Sequence, residues 1–178
     1  MKKRILLLCM CFILLFSGCG GGSGYGKADV PAQTEVTDKS LKDIFAEHGM
    51  KVGTCVSAQV IGRKDMEALI LAQFDSVTME NAMKPDYILN QKKSQEEGAI
   101  VVEYNKDALT VLRWAKEHGI PMRGHTLIWH SQTPEWIFRE GFRDDGAYVD
   151  REEMLLRMET MIRRNFEELK RLGYLDCF

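Results

Sequence analysis

Apolar and polar positions from residue 38 onward switch repeatedly between a helical and a strand-like period. Residues 41–49, "LKDIFAEHG", read as a short helix closed by Gly49, and residues 51–58, "KVGTCVSA", as a strand. In residues 63–74, "RKDMEALILAQF", the apolar side chains Met66, Leu69, Ile70 and Phe74 fall at helical spacing, and residues 75–81, "DSVTMEN", are again strand-like. A polar loop rich in Lys, Gln and Glu is expected over roughly 90–103. Asn105 then caps a helix with Leu109, Leu112 and Ala115 on its apolar face, stopped at Gly119, and "IPMRGHTLIW" supplies a third strand. Asp150 and Glu153 form a capping-box pair. The helix behind them is expected to bury Met154, Leu155, Met158, Met161, Ile162, Phe166 and Leu169 and to end at Gly173, with "YLDCF" opening a fourth strand. Successive βα units of this kind make a parallel sheet in an α/β fold. Periodicity alone leaves two architectures open: a small α/β sandwich, or the first three to four βα units of a (β/α)8 TIM barrel, whose closure needs about 250 residues.

The first residues belong to neither. "MKKR" is a positive start, and "ILLLCMCFILLF" is an apolar run too short to span a bilayer comfortably. "FSGC" and then "GGGSGYGKAD" follow. Residues 1–18 thus resemble a bacterial lipoprotein signal peptide, with Cys19 as the lipidated first residue of the mature chain and residues 19–37 as a flexible tether. An ordinary secretory signal is the competing reading, and under both the domain is exported. The membrane is then expected as a partner through the lipid anchor alone.

Composition narrows the class further. With 45% hydrophobic residues and 24 Lys+Arg against 26 Asp+Glu, the remainder suits one soluble domain and gives no basic surface for nucleic acid. Of five cysteines, Cys55 and Cys177 fall in the domain; they are expected as two buried thiols rather than a disulfide, and no CxxC spacing exists.

Two constellations stand at the C-terminal ends of predicted strands, where α/β proteins place their sites. The first is Glu80, Asn81 and Lys84 within "MENAMK"; the ordinary alternative is a polar βα loop. The second is "MRGHTLIWHSQTPEW", with His125, Trp129, His130 and Gln132; the ordinary alternative is a satisfied core histidine beside core tryptophans. On an extended segment His125, Leu127 and Trp129 would share one face. No HExxH or other ligand spacing supports a metal, no Gly-x-Ser-x-Gly elbow supports a serine nucleophile, and no cofactor is expected. Aromatic rings beside amides and charges suit sugars, because ring faces pack on C–H surfaces while polar groups take the hydroxyls.

"TMENAMKPDYI" and "RGHTLIWHSQTPEWIF", with a helix between them, resemble two signature segments of the family 10 glycoside hydrolases, the endo-1,4-β-xylanases. The similarity runs from about Leu41 to the end of the chain. It implies a (β/α)8 barrel and retaining hydrolysis of internal β-1,4 bonds of xylan, with xylan or a xylo-oligosaccharide as partner. It further implies that Glu80, Asn81 and Lys84 bind sugar on the glycone side, that His125, Trp129 and Gln132 line the same side, that His130 is supporting and that Arg123 is structural. Retaining hydrolysis needs two carboxyl groups about 5–5.5 Å apart. In the family these are the glutamate of an Asn-Glu pair after strand four and a second glutamate after strand seven, and this sequence contains no Asn-Glu pair. Residues 38–178 are therefore expected as the N-terminal part of the barrel, truncated before closure, carrying no catalytic residue and inactive alone. A non-catalytic carbohydrate-binding surface lipoprotein is the alternative.

Overall fold

The computed structural model describes residues 38–178; the expected signal peptide, Cys19 and the tether lie outside the described residues. Strands β1 (Gly53–Val56), β2 (Ser76–Met79) and β3 (Met122–Arg123) form a parallel sheet in that order. Their register places Thr54 opposite Val77 and Val77 opposite Met122, with Val56 opposite Met79. Because successive strand residues point to opposite faces, Val56, Val77, Met79 and Met122 share a face, and all four are buried. The other face carries Gly53, Cys55, Ser76, Thr78 and Arg123, which are small or polar, and Gly53, Cys55 and Arg123 are exposed. This two-faced sheet corrects one expectation. Cys177 is a buried free thiol, whereas the Cys55 thiol is free and exposed, since its position on β1 points it to the open face.

Helix α6 (Lys106–Glu117) has the expected cap and buries Leu112 and Ala115 of the expected stripe, with Leu109 only partly buried. The Asn105 side chain accepts a hydrogen bond from the Ala108 amide as an N-cap, and the helix buries Ala108, Val111, Leu112, Trp114 and Ala115 in the common core. Helices α1 (Leu41–Ala46), α2 (Ala58–Ile61) and α3 (Lys64–Gln73) precede it, α1 and α2 capped by Ser40 and Ser57. On α3 only Ile70 is buried; Leu69, expected inside, is exposed.

The expected polar loop over 90–103 holds a helix, α5 (Gln91–Glu97), after the short α4 (Pro85–Ile88). Its apolar stripe is missing because hydrogen bonds, not hydrophobic burial, dock it. Asn90 caps it, Gly98 closes it in a left-handed conformation, and buried Ser94 bonds the Asn90 carbonyl and the Val101 amide. Gln91 and Gln95 both donate to the Phe142 carbonyl.

Helix α7 (Arg151–Leu172) is capped by Asp150 and closed at Gly173 as expected, but its inward face is different. Arg157, Thr160, Met161, Asn165 and Leu169 are buried, while Leu155, Ile162 and Phe166 are exposed. Arg157 accounts for the rotation. Its guanidinium donates to the Ile137 and Arg139 carbonyls at 2.8 Å each and to Glu153 at 2.7 Å, and it stacks on Phe142. Asn165 is likewise held inside, accepting from the Tyr104 hydroxyl. Burial pushes the Tyr104 phenol above its ordinary range, with Glu168 adding to the effect, so the hydroxyl stays a donor. The expected fourth strand is a 3-10 turn, Leu175–Cys177, and β3 stops after Arg123.

Candidate functional site

The site grows from the ends of β1, β2 and β3. Beyond Met79 the Glu80 amide still donates to the Val56 carbonyl of β1, at 2.9 Å, which continues the ladder by one bond. The Lys84 amide then closes a turn on the Asn81 carbonyl at 2.8 Å. Pro85, which has no N–H to leave unsatisfied, starts α4 there. Lys84 is thereby carried inward and is only 8% exposed.

A buried ammonium is costly unless its donors are met. Lys84 Nζ donates to Asn81 Oδ1 at 2.8 Å and to Gln132 Oε1 at 2.5 Å, and lies 4.7 Å from the centre of the Trp129 ring. No carboxylate forms an ion pair with it among the described residues. An ammonium only donates, so both amides must turn their oxygens to it. Gln132 Nε2 completes the triangle, donating to Asn81 Oδ1 at 3.3 Å. Both N–H groups of the Asn81 amide, the second N–H of Gln132 and one Lys84 N–H are left over beside an aromatic face. Such a set suits adjacent hydroxyls.

Gln132 reaches this position through an unusual backbone. Its φ is 53°, in the left-handed region that glutamine adopts rarely, and its carbonyl accepts from the Asp86 amide at 3.1 Å. That bond ties the segment after β3 to α4, so the two sequence constellations meet. Residues 124–129, expected to continue the third strand, carry no strand. The chain bends at Leu127 and Ile128, the Thr133 hydroxyl donates to the Trp129 carbonyl at 2.7 Å, and it accepts from the Trp129 amide at 3.3 Å. His125 still approaches Trp129, with ring centres 6.1 Å apart, and His130 meets the indole edge-on at 5.0 Å. Leu127, expected on the same face, is exposed.

Glu80 is exposed, and its carboxylate makes no hydrogen bond to another described residue. It lines a polar cleft with Ser57, Gln59, Asn81, Tyr87 and Asp107. Sequence reasoning singled out only Glu80 and Asn81 of these six. Ser57 and Gln59 directly follow β1, and Asp107 sits in the first turn of α6, so the signal was position at a strand end or helix start rather than any local motif. Arg123 is exposed on the open sheet face, opposite Thr78 in the register.

Glu135 is not a spare acid. It accepts from the Tyr148 hydroxyl at 2.6 Å and from Arg139 at 2.9 Å. These bonds, Tyr148 first, hold its carboxyl below the usual glutamate range, so it is an anion near neutrality and has no proton to give.

The profile of Glycosyl hydrolase family 10 matches residues 40–176. Endo-1,4-beta-xylanase Y of Acetivibrio thermocellus is 40% identical over 131 residues, which are 74% of this chain and 12% of that protein. Endo-1,4-beta-xylanase A of Butyrivibrio fibrisolvens is 34% identical over 181 residues, 92% of this chain and 41% of that protein. Among solved structures, the CBM22-1-GH10 modules of xylanase 10B from Clostridium thermocellum, complexed with xylohexaose, superpose with a TM-score of 0.70 at 38% identity, covering 78% of this chain and 26% of theirs. A psychrophilic family 10 endo-beta-1,4-xylanase gives 0.61 at 31% identity, covering 78% and 37%. The chain spans between 12% and 41% of the length of these relatives, and its three-stranded sheet is an open part of the barrel they form. With two signature segments joined around Lys84 and a profile match over most of its length, the chain belongs to glycosyl hydrolase family 10.

Proposed function

We propose that this chain is the glycone-side sugar-binding part of a retaining endo-1,4-β-xylanase, and that it binds xylan or xylo-oligosaccharides without cleaving them. The observation that carries this reading is the buried Lys84 ammonium, bonded to Asn81 and Gln132 over the Trp129 ring. A cation buried without a carboxylate is a poor device for stability alone. It makes sense where a donor must be presented to a ligand. Asn81, Lys84 and Gln132 take hydroxyls, Trp129 offers its ring flanked by His125, His130 supports that ring, and Glu80 accepts from a sugar at the polar cleft. The similarity to xylanases, and to one solved with xylohexaose, supports the substrate class.

Cleavage requires a carboxylic acid and a carboxylate facing each other across the bond. The triangle of Asn81, Lys84 and Gln132 has neither, and Glu135 is committed to Tyr148 and Arg139. Incubated with soluble xylan, the 178-residue chain is expected to release no reducing sugar above a protein-free control. Sustained release would refute the reading.

Export and lipid anchoring through Cys19 complete the proposal, supported by the charged start, apolar run and small residues before that cysteine. Expressed in a bacterium fed labelled palmitate, the parent chain is expected to take up label, and Cys19→Ser is not. Equal labelling of both would rule the anchor out.

A further inference from the structure

Tyr148 is the most exposed large aromatic side chain among the described residues, at 64%, yet it is held on every polar atom it has. Its hydroxyl donates to Glu135 Oε1 at 2.6 Å and accepts from Arg139 Nη2 at 3.0 Å. The Arg139 guanidinium lies 3.8 Å from the ring centre, covering one face. Arg139 is itself anchored on the Gly146 carbonyl at 3.2 Å and on Glu135 at 2.9 Å. The backbone beneath is equally fixed: Arg139 and Tyr148 form an antiparallel bridge, flanked by Val149 N to Phe138 O at 2.9 Å and Glu140 N to Ala147 O at 2.8 Å. An exposed aromatic ring normally keeps its rotamer freedom. Here that freedom is lost in advance, while one ring face remains open to water. Fixing a side chain before its ligand arrives lowers the cost of binding.

We propose that the Tyr148 ring, backed by Arg139 and tethered to Glu135, is a second carbohydrate contact, an aromatic platform for an outlying sugar of the same polysaccharide strand. This rests on the reading of Asn81, Lys84 and Gln132 as a xylan-binding site. A pyranose presents an apolar C–H face that packs on an aromatic ring. Backing by a cation leaves the ring no loss of partner when the sugar covers its free side. Geometry places the platform within range: Glu135 follows Gln132 by three residues, so their Cα atoms are at most about 10 Å apart. The Tyr148 hydroxyl is 2.6 Å from the Glu135 carboxylate. A strand lying on Lys84 and Trp129 therefore needs only a few further sugars to reach the ring.

The test titrates the parent chain, Tyr148→Ala and Tyr148→Phe with xylobiose and with xylohexaose. Tyr148→Ala is expected to weaken xylohexaose by roughly three- to tenfold, the contribution of one aromatic contact. Xylobiose, too short to span both contacts, is expected to bind all three chains alike, and Tyr148→Phe, which keeps the ring but loses its tether to Glu135 and Arg139, to fall between the parent and Tyr148→Ala on xylohexaose. Unchanged xylohexaose affinity in Tyr148→Ala would overturn the platform, as would an equal loss on xylobiose or in Tyr148→Phe, while leaving the Lys84 site standing. Absence of binding by the parent to either sugar would overturn both readings together.

Discussion

Replacing Lys84 by methionine is expected to reduce xylohexaose affinity by roughly tenfold to a hundredfold while leaving the chain at least as stable. The first half follows from what the ammonium does. A hydrogen bond from a charged donor is worth about 1.5–3 kcal/mol, and its loss from a site built to bond hydroxyls is felt in full. The change also frees Asn81 and Gln132, whose oxygens face Nζ at 2.8 and 2.5 Å and fix the direction of their amides. The second half follows from burial. Lys84 is 8% exposed, has two neutral amides as partners and no ion pair among the described residues. A methionine of similar volume keeps contact with the Trp129 ring and removes the desolvation penalty. Calorimetric titration and urea denaturation on the same preparation separate the two effects. A variant that loses binding only in proportion to lost stability would mean that Lys84 is a packing residue.

Arg157→Leu is expected to destabilise the chain by about 2 kcal/mol. The buried Ile137 carbonyl loses its charged donor, and an unmet buried acceptor costs about 1–3 kcal/mol, while the part-buried Arg139 carbonyl keeps the Phe142 amide at 3.1 Å. Glu153 contributes less, because it is half exposed and water can replace the guanidinium. The segment released is the one that carries Glu135, Arg139 and Tyr148, so the variant is expected to lose the Tyr148 contact along with stability. A change in urea midpoint corresponding to less than about 1 kcal/mol would show that the buried guanidinium is not what holds segment 134–149 to α7.

How much of this could be read beforehand differs from element to element. Helix α6 was legible in its Asn105 cap and in buried Leu112 and Ala115, although Leu109 is only partly buried and Ala108, Val111 and Trp114 complete the inward face. Helix α5 was not, since it is docked through Gln91, Gln95 and Ser94, which leave no hydrophobic period. On α7 the apolar residues outnumber the buried positions, and the inward face was decided by Arg157 and Asn165, whose partners lie 18 to 61 residues away. The third strand was overextended because alternation continues past Arg123, while the chain turns to bring Gln132 back to Lys84. At the site, Glu80, Asn81, Lys84, His125, Trp129 and Gln132 stood out as two constellations at strand ends, their sugar-binding roles followed from the family resemblance, and the structure joins Asn81, Lys84 and Gln132. What spacing could not convey is that the lysine is buried with no acid paired to it among the described residues, or that Tyr148 stands on Arg139.

The central claim is that this chain holds a xylan strand and does not cut it. Its most direct test is calorimetric titration of the 178-residue chain with xylohexaose, with the same samples assayed for shorter xylo-oligosaccharides afterwards. Saturable binding to one site, undiminished recovery of xylohexaose and loss of binding in Lys84→Met are the predicted result. Shorter products in the recovered sugar, or no saturable binding by the parent chain, would contradict it.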